Sequence, residues 1–153
     1  MRTAYRALAH TVAGLVVVQA AAIALWVFGL LHWVDDGHSL TPAVLDDEAE
    51  GVTGSVGILI HSVGAMVVAV VAIALLIVAL FAKIPGGVKW AGFVFLAVLF
   101  QWVIAIVSFG VPGLGFLHGA NALVIAWLGW HAAKVAGGSE AAGAPAHEAS
   151  AAR

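Results

Sequence analysis

Three long stretches without any Lys, Arg, Asp or Glu constrain what this 153-residue chain can fold into. They cover residues 7–34, 52–82 and 90–133. A helix needs about 20 consecutive apolar residues to cross a bilayer, so each stretch is long enough. Because 63% of the residues are hydrophobic and only 9% are charged, there are too few polar side chains to cover the surface of a soluble domain. The chain is therefore predicted to be an integral membrane protein.

The longest uncharged stretch, 90–133, is too long for one crossing. It is interrupted at 110–115 by the sequence GVPGLG, in which Gly and Pro favour a turn. The predicted fold class is all-α, a four-helix membrane bundle over 1–136 with antiparallel up-down-up-down topology. Residues 137–153 are rich in Gly, Ala and Ser and are predicted to form a disordered cytoplasmic tail. The four predicted helices cover 7–34, 55–82, 88–109 and 115–135.

The few charges indicate how such a bundle is oriented. In a four-span arrangement all the basic residues fall on one side, and the acidic segment 35–50 falls on the other. Basic residues near the ends of spans are retained on the cytoplasmic side, so both termini are expected there. The basic residues are Arg2, Arg6, Lys83, Lys89, Lys134 and Arg153.

The composition excludes several classes of function. Without cysteine the chain has no disulfide, zinc-thiolate site, iron–sulfur cluster or thiolate nucleophile. The lack of a basic patch on a polar surface leaves nucleic acid without an electrostatic footprint. A bound metal must therefore use His, carboxylate or Met, and seven histidines are present.

Two of these histidines lie at the same depth in the predicted bundle. His61 and His118 follow the outer ends of the second and fourth helices by a turn or slightly more, about 6–8 Å at a rise of 1.5 Å per residue. Ionisable residues inside a membrane are costly, which makes them functional candidates by default. Two imidazoles at one level match the axial ligands of a six-coordinate heme b, so His61 and His118 are predicted to hold one.

The neighbours of this pair are small or amidic. Residues three and four positions after a helical His share its face, and they leave room for a porphyrin or for close helix packing. Gln19 and Gln101, near the middle of the first and third helices, complete a weak two-helix repeat of a Gln helix followed by a His helix. Each Gln can serve as an interhelical hydrogen-bond partner or lie at the edge of the cofactor. The residues that share the faces are Gly64 and Ala65 after His61, and Asn121 and Ala122 after His118.

Three further histidines, His10, His32 and His131, lie near helix ends, where an interfacial role is favoured. His10 and His131 are the second choice of ligands, for a heme near the inner surface. A second heme is the remaining possibility, since His118 and His131 are 13 residues apart, a spacing close to that of two-heme cytochromes b. In a straight helix, however, that separation turns the two rings apart by about 220°.

The segment LHGANAL, Leu117 to Leu123, together with the repeated Gln and His helices, resembles one half-bundle of heme A synthase and small four-helix actinobacterial membrane proteins with an LHxxNxL motif. The resemblance implies a bacterial cytoplasmic membrane protein with one heme between His61 and His118. The chain lacks the Glu and Arg that flank the second-helix His in that family, and also its outer-loop cysteines. The resemblance therefore implies heme binding rather than heme A synthesis.

The leading hypothesis is a b-type cytochrome that exchanges electrons with quinone or a membrane redox complex, without a catalytic residue of its own. One alternative is a heme-free accessory or assembly subunit, and another is a heme carrier or chaperone. A metal or proton transporter with an outer capture site at His32, Asp35, Asp36 and His38 is a further alternative. A homodimer is compatible with the half-bundle resemblance. Because no Lys or Arg falls on the outer side, heme propionates are expected to rely on neutral donors such as Trp33, His32, His38, Ser55 or the 110–115 turn amides.

Overall fold

The computed structural model describes residues 1–46 and 51–141, and within them every regular element is helical. This confirms the all-α prediction for the described part of the chain. The elements are α1 (Arg2–Asp35), α2 (Pro42–Asp46), α3 (Ser55–Ala82), α4 (Gly87–Ser108), a 3-10 turn (Pro112–Leu114) and α5 (Gly115–Ala141).

Four stretches are long and apolar enough to cross a membrane: α1, α3, α4 and Pro112–Gly137, which is the 3-10 turn followed by most of α5. Many of their large apolar side chains point outward, where contact with water would be unfavourable. Examples are Phe28, Leu80 and Leu123, which are 71%, 61% and 73% exposed. A bilayer solvates such side chains, because its hydrocarbon core is itself apolar. The structure thus supports the prediction of a multi-pass membrane protein.

The first and the last helix of the chain are longer than predicted. α1 begins at Arg2 rather than at residue 7, and its first turn is held by Tyr5, which is fully buried and donates a hydrogen bond from its hydroxyl to the Gly87 carbonyl at 2.9 Å. α5 continues to Ala141, so residues 137–141, predicted as part of the tail, are helical. The rest of that tail, 142–153, and the acidic residues at 47–50 lie outside the described residues.

The four long helices pack around a core of small and branched side chains. α1 packs against α3 and α5, and α4 packs against the same two helices, so α3 and α5 lie diagonally across the bundle. Val12, Leu75, Val94 and Ile125 lie in the core, each buried almost completely. A side chain on α3 and another on α5 can therefore meet only by reaching across the centre.

Glycines set how closely α1 approaches its two neighbours. A Cβ at Gly57 on α3 would lie against the backbone of Ala22 and Trp26 on α1. A Cβ at Gly129 on α5 would lie 2.9 Å from the Ala9 carbonyl oxygen, also on α1. Such close contacts are typical of small residues at helix interfaces in membranes. They fix α1 to α3 near one end of the bundle and to α5 near the other.

Candidate heme-binding site

The rings of His61 and His118 face each other in the centre of the bundle. Their centroids are 6.3 Å apart, with an angle of 57° between the ring planes. His61 comes from the second turn of α3, and His118 comes from the first turn of α5. Both residues are half-buried. The structure thus brings together the two histidines that the sequence singled out.

His61 is held in one orientation by α1. Its Nδ1 lies 3.2 Å from the backbone carbonyl oxygen of Gln19. Because a carbonyl oxygen can only accept a hydrogen bond, Nδ1 carries the ring hydrogen and donates the hydrogen bond. In the neutral ring the lone pair is then on Nε2, the nitrogen available to a metal.

The side chain of Gln19 adds a weaker contact between the same two helices. Its Nε2 donates to the Ile60 carbonyl oxygen at 3.4 Å. A Cβ at Gly64 would collide with this amide group. The absence of a side chain at Gly64 thus leaves room for the Gln19 side chain to cross to α3.

Two amide side chains hold the backbone of α5 around His118. Gln101 on α4 donates from Nε2 to the His118 carbonyl oxygen at 2.9 Å. Asn121 donates from Nδ2 to Gln101 Oε1 at 2.7 Å and to the Ala97 carbonyl oxygen at 2.9 Å. Among the described residues, Nδ1 of His118 is buried without a hydrogen-bond partner. The backbone around His118 is thus tied to α4.

Each of the two glutamines donates to a backbone carbonyl at or next to one of the histidines. Gln19 donates to the carbonyl that precedes His61, and Gln101 donates to the carbonyl of His118 itself. Both side chains also line the pocket between the histidines. The sequence left two roles open for these residues, and in the structure each makes an interhelical hydrogen bond at the edge of the pocket.

The pocket has a volume of about 210 Å³ and is mostly apolar. Of the predicted neighbours, Ala65 and Ala122 line it. Gly64 instead lies next to the Gln19 amide, and Asn121 donates a hydrogen bond to Gln101. The sequence reading missed several lining residues. Three of them could have been found from helical periodicity, since residues three or four positions from a Gln share its face: Val16 and Ile23 beside Gln19, and Val98 beside Gln101.

One side of this pocket opens away from the bundle. Ala20 on α1 and Gly119 and Leu123 on α5 line it and are exposed. A Cβ at Gly119 would have no heavy atom within 4 Å. In a membrane protein this opening between α1 and α5 faces lipid.

Comparison with models of known protein families, with curated proteins and with solved structures gave no match. The likeness to half of heme A synthase therefore stays an expectation drawn from the LHGANAL segment and the repeated helices. Function must be inferred from the geometry of the histidine pair and its pocket.

The second-choice ligands have different surroundings. The ring of His10 packs edge-on against Trp130, with centroids 5.3 Å apart. The ring of His131 lies 4.1 Å from that of Trp90 and 5.2 Å from that of Trp127. These histidines thus pack against tryptophans, and the sequence predicted none of these contacts.

The proposed outer capture site does not assemble in the described part of the chain. His32 lies 3.7 Å from Asp36, one helical turn away. His38 stacks on Trp33 at 4.5 Å, and its Nδ1 lies 3.0 Å from the Trp33 carbonyl oxygen. Within residues 1–46 and 51–141, no three His, Asp or Glu side chains converge as metal ligands. The hypothesis of a metal-capture site formed by four converging residues is therefore wrong for these residues.

Proposed function

We propose that the protein is a membrane-embedded b-type cytochrome in which His61 and His118 are the axial ligands of one heme. The observation that carries this proposal is the 6.3 Å separation of the two ring centroids. The two rings belong to diagonally opposed helices and line one pocket.

The separation can be compared with what a shared metal requires. An imidazole nitrogen binds a transition metal at about 2.0–2.1 Å. Bonds of about 1.33 Å in a five-membered ring place each nitrogen about 1.1 Å from the ring centroid. Two imidazoles on opposite sides of one metal therefore have centroids about 6.2–6.4 Å apart. The histidine pair fits this requirement.

A direct hydrogen bond between the rings requires a shorter separation. With the two nitrogens about 2.9 Å apart, the ring centroids would lie about 5.2 Å apart. The rings of His61 and His118 are about 1 Å further apart than that. The spacing is therefore longer than a direct hydrogen bond between the rings requires, and it is compatible with an atom held between them.

The hydrogen bond to His61 supports the same assignment. Histidines that bind metals typically donate their second ring N–H to a carbonyl or carboxylate, which fixes the tautomer and raises the basicity of the ligating nitrogen. His61 makes this bond to the Gln19 carbonyl. With Nδ1 as the donor, the lone pair of Nε2 is available to bind a metal.

The pocket suits an apolar ring, because apolar side chains form most of its surface and its polar lining residues include Gln19, Gln101 and the two histidines. Its volume of about 210 Å³ is below the range of about 300–1,000 Å³ for typical small-molecule sites. A porphyrin held by His61 and His118 would therefore need space beyond this pocket, on the side where Gly119 and Leu123 are exposed. Ala65, Ala122 and Gly119 keep that space free of larger side chains.

Heme held by two histidines has no open coordination position, which suits it to one-electron transfer rather than oxygen chemistry. The chain's own contribution is to orient His61 through Gln19, to anchor His118 through Gln101 and Asn121, and to exclude water with apolar side chains. We propose that the four long helices alternate in direction across a bacterial cytoplasmic membrane, with both termini cytoplasmic and the site near the outer face. The electron partner is then a quinone or a membrane redox protein.

A heme-free accessory or assembly subunit is the second candidate. It is favoured by the Gln101 and Asn121 side chains, which bond to each other and to backbone carbonyls within the bundle. Such bonds specify helix packing in membranes without any cofactor. This candidate predicts a folded protein that does not bind heme.

Heme titration separates the two candidates. Wild-type protein, purified in detergent, is titrated with heme b and followed by the Soret band and by the reduced-minus-oxidised difference spectrum. We expect one heme per chain with a low-spin spectrum, and its loss in the double variant His61→Ala/His118→Ala. A wild-type protein that is folded but takes up no heme, or a double variant with an unchanged spectrum, would favour the heme-free subunit.

A further inference from the structure

We infer that α4 and α5 together form a binding site for one anionic phospholipid, at the end of the bundle where α4 begins and α5 ends. The inference goes beyond the proposed function and does not depend on heme. It rests on two lysines and three tryptophans, which we call the basic aromatic surface: Lys89, Trp90, Trp127, Trp130 and Lys134.

The ends of three long helices meet beside this surface. Tyr5 near the start of α1 donates a hydrogen bond to the carbonyl of Gly87, the first residue of α4. A Cβ at Gly137, near the end of α5, would lie 3.8 Å from Cζ of Arg6 on α1. In a bundle that spans a membrane, this end lies at a boundary between lipid and water.

One face of α5 carries most of the basic aromatic surface. Residues three, four or seven positions apart share a helix face, which places Trp127, Trp130 and Lys134 together. All three are exposed, and Lys134 Nζ lies 5.5 Å from the centroid of the Trp130 ring. At a rise of 1.5 Å per residue, Lys134 lies about 10 Å nearer the end of α5 than Trp127 does. This order suits a cation at the level of lipid headgroups and indole rings just below them.

α4 adds the second lysine to the same surface. Lys89 Nζ lies 5.9 Å from the centroid of the Trp90 ring and 5.8 Å from that of Phe93. The Trp90 ring lies 6.1 Å from that of Trp127 on α5, and 4.1 Å from that of His131. These ring contacts join the two helices, so the basic aromatic surface is continuous and has one lysine from each helix.

Neither lysine is paired with a carboxylate in residues 1–46 and 51–141. Asp35 and Asp36 lie at the opposite end of α1. Glu140 follows Lys134 by six positions on α5, which separates the two positions by about 120° around the helix. Two exposed cations on one surface complement a phosphate, and a phospholipid without a positive headgroup supplies one at a membrane boundary.

Exposed apolar side chains continue this surface toward the centre of the bundle. Leu123 lies one turn before Trp127 on α5, and Phe93 and Leu96 follow the first turn of α4. They provide contacts for the acyl chains of a lipid whose phosphate meets the two lysines. Basic pockets between transmembrane helices are typical sites for anionic lipid headgroups.

The experiment counts the lipids that bind to each chain. Full-length protein in detergent is titrated with phosphatidylglycerol, or with zwitterionic phosphatidylcholine, and observed by native mass spectrometry. We expect the wild type to retain one phosphatidylglycerol in preference to phosphatidylcholine. A basic residue near a membrane surface contributes about 5-fold in affinity for anionic lipid, so Lys89→Gln/Lys134→Gln should weaken phosphatidylglycerol binding about 25-fold.

Two further variants serve as controls. Lys89→Arg/Lys134→Arg keeps both charges and should bind phosphatidylglycerol about as the wild type does. Lys83→Gln removes a charge at the end of α3, which lies diagonally across the bundle from α5, and should leave this binding unchanged. Lys134→Gln alone is its matched partner and should weaken the binding about 5-fold.

Three results would overturn the inference. The first is equal retention of the two lipids by the wild type, and the second is unchanged phosphatidylglycerol binding in Lys89→Gln/Lys134→Gln. The third is an equal loss in Lys83→Gln and Lys134→Gln, which would assign the attraction to the net charge of this end of the bundle. None of these measurements uses heme, so their outcome is separate from that of the heme titration.

Discussion

The pair His61 and His118 and the pair His10 and His131 show how differently one side-chain type is used within a single bundle. The rings of the first pair face each other across a pocket and have backbone carbonyls and amide side chains beside them. Each ring of the second pair packs on tryptophan. The hydrogen bond at Nδ1 of His61 leaves its Nε2 available to bind a metal. The rings of His10 and His131 instead make aromatic contacts with tryptophan. The surroundings of a histidine, more than its depth, thus distinguish a candidate ligand from an interfacial residue.

The largest expected effect contrasts these two pairs directly. His10→Ala/His131→Ala should keep one heme per chain, because those side chains pack on aromatic rings outside the central pocket. His61→Ala/His118→Ala should abolish the Soret band of bound heme. Heme content per chain, measured on protein that elutes as a single peak in size-exclusion chromatography, checks both. If only the His10→Ala/His131→Ala variant lost its heme, the heme site would lie at the inner end of the bundle instead.

A smaller effect is expected from adding one methyl group behind His61. Gly64→Ala places a Cβ against the Gln19 amide, so the end of this side chain must shift and its bond to the Ile60 carbonyl, next to His61, is lost. We expect about 10-fold weaker heme binding, at the lower end of the range for altered outer-shell partners. Gly92→Ala on α4 is the matched control, because a Cβ there would have no heavy atom within 4 Å. Equal heme affinity in the two variants would contradict the role assigned to Gln19.

Breaking the amide network around His118 should mainly lower stability. Gln101→Leu removes the bond to the His118 carbonyl and the acceptor for Asn121. Interhelical hydrogen bonds in membranes contribute about 0.6 kcal/mol on average, so a loss of about 1–2 kcal/mol is expected. Thermal unfolding in detergent without heme measures it. Gln19→Leu should cost less, because its side-chain bond is longer, at 3.4 Å. A larger loss of stability in Gln19→Leu than in Gln101→Leu would show that the amide network does not hold α5 to α4.

The smallest effect is expected at the inner end. Trp130→Leu removes the contact with His10 and the cation–π contact in which Lys134 Nζ lies 5.5 Å from the indole ring. Such contacts contribute about 0.5–1 kcal/mol at exposed sites. We expect a comparably small loss of thermal stability and an unchanged heme spectrum. A marked change in the spectrum would show that the two ends of the bundle are coupled.

The all-helical fold and its four apolar spans could be predicted from sequence, because uncharged stretches and the GVPGLG turn are local signals. The helix ends were less predictable. α1 starts early because Tyr5 packs against the beginning of α4, a contact between residues 82 positions apart. Patterns within one helix carry no information about such a partner.

The candidate site was predictable only in part. His61 and His118 could be paired because their positions along two helices placed them at one depth. The bond between His61 and the Gln19 backbone could not be foreseen, since every residue has a carbonyl and only the packing of α1 on α3 selects this one. The unpartnered Nδ1 of His118 is likewise a result of three-dimensional packing.

The most direct test of the central claim is the ligand set of the iron. Near-infrared magnetic circular dichroism of the ferric, heme-loaded protein identifies the axial ligands of low-spin heme from the position of its charge-transfer band. We predict the band of two neutral histidine nitrogens in the wild type, and its disappearance in both His61→Ala and His118→Ala. A band of another ligand set, or the two-histidine band persisting in either variant, would contradict the assignment of His61 and His118 as the axial pair.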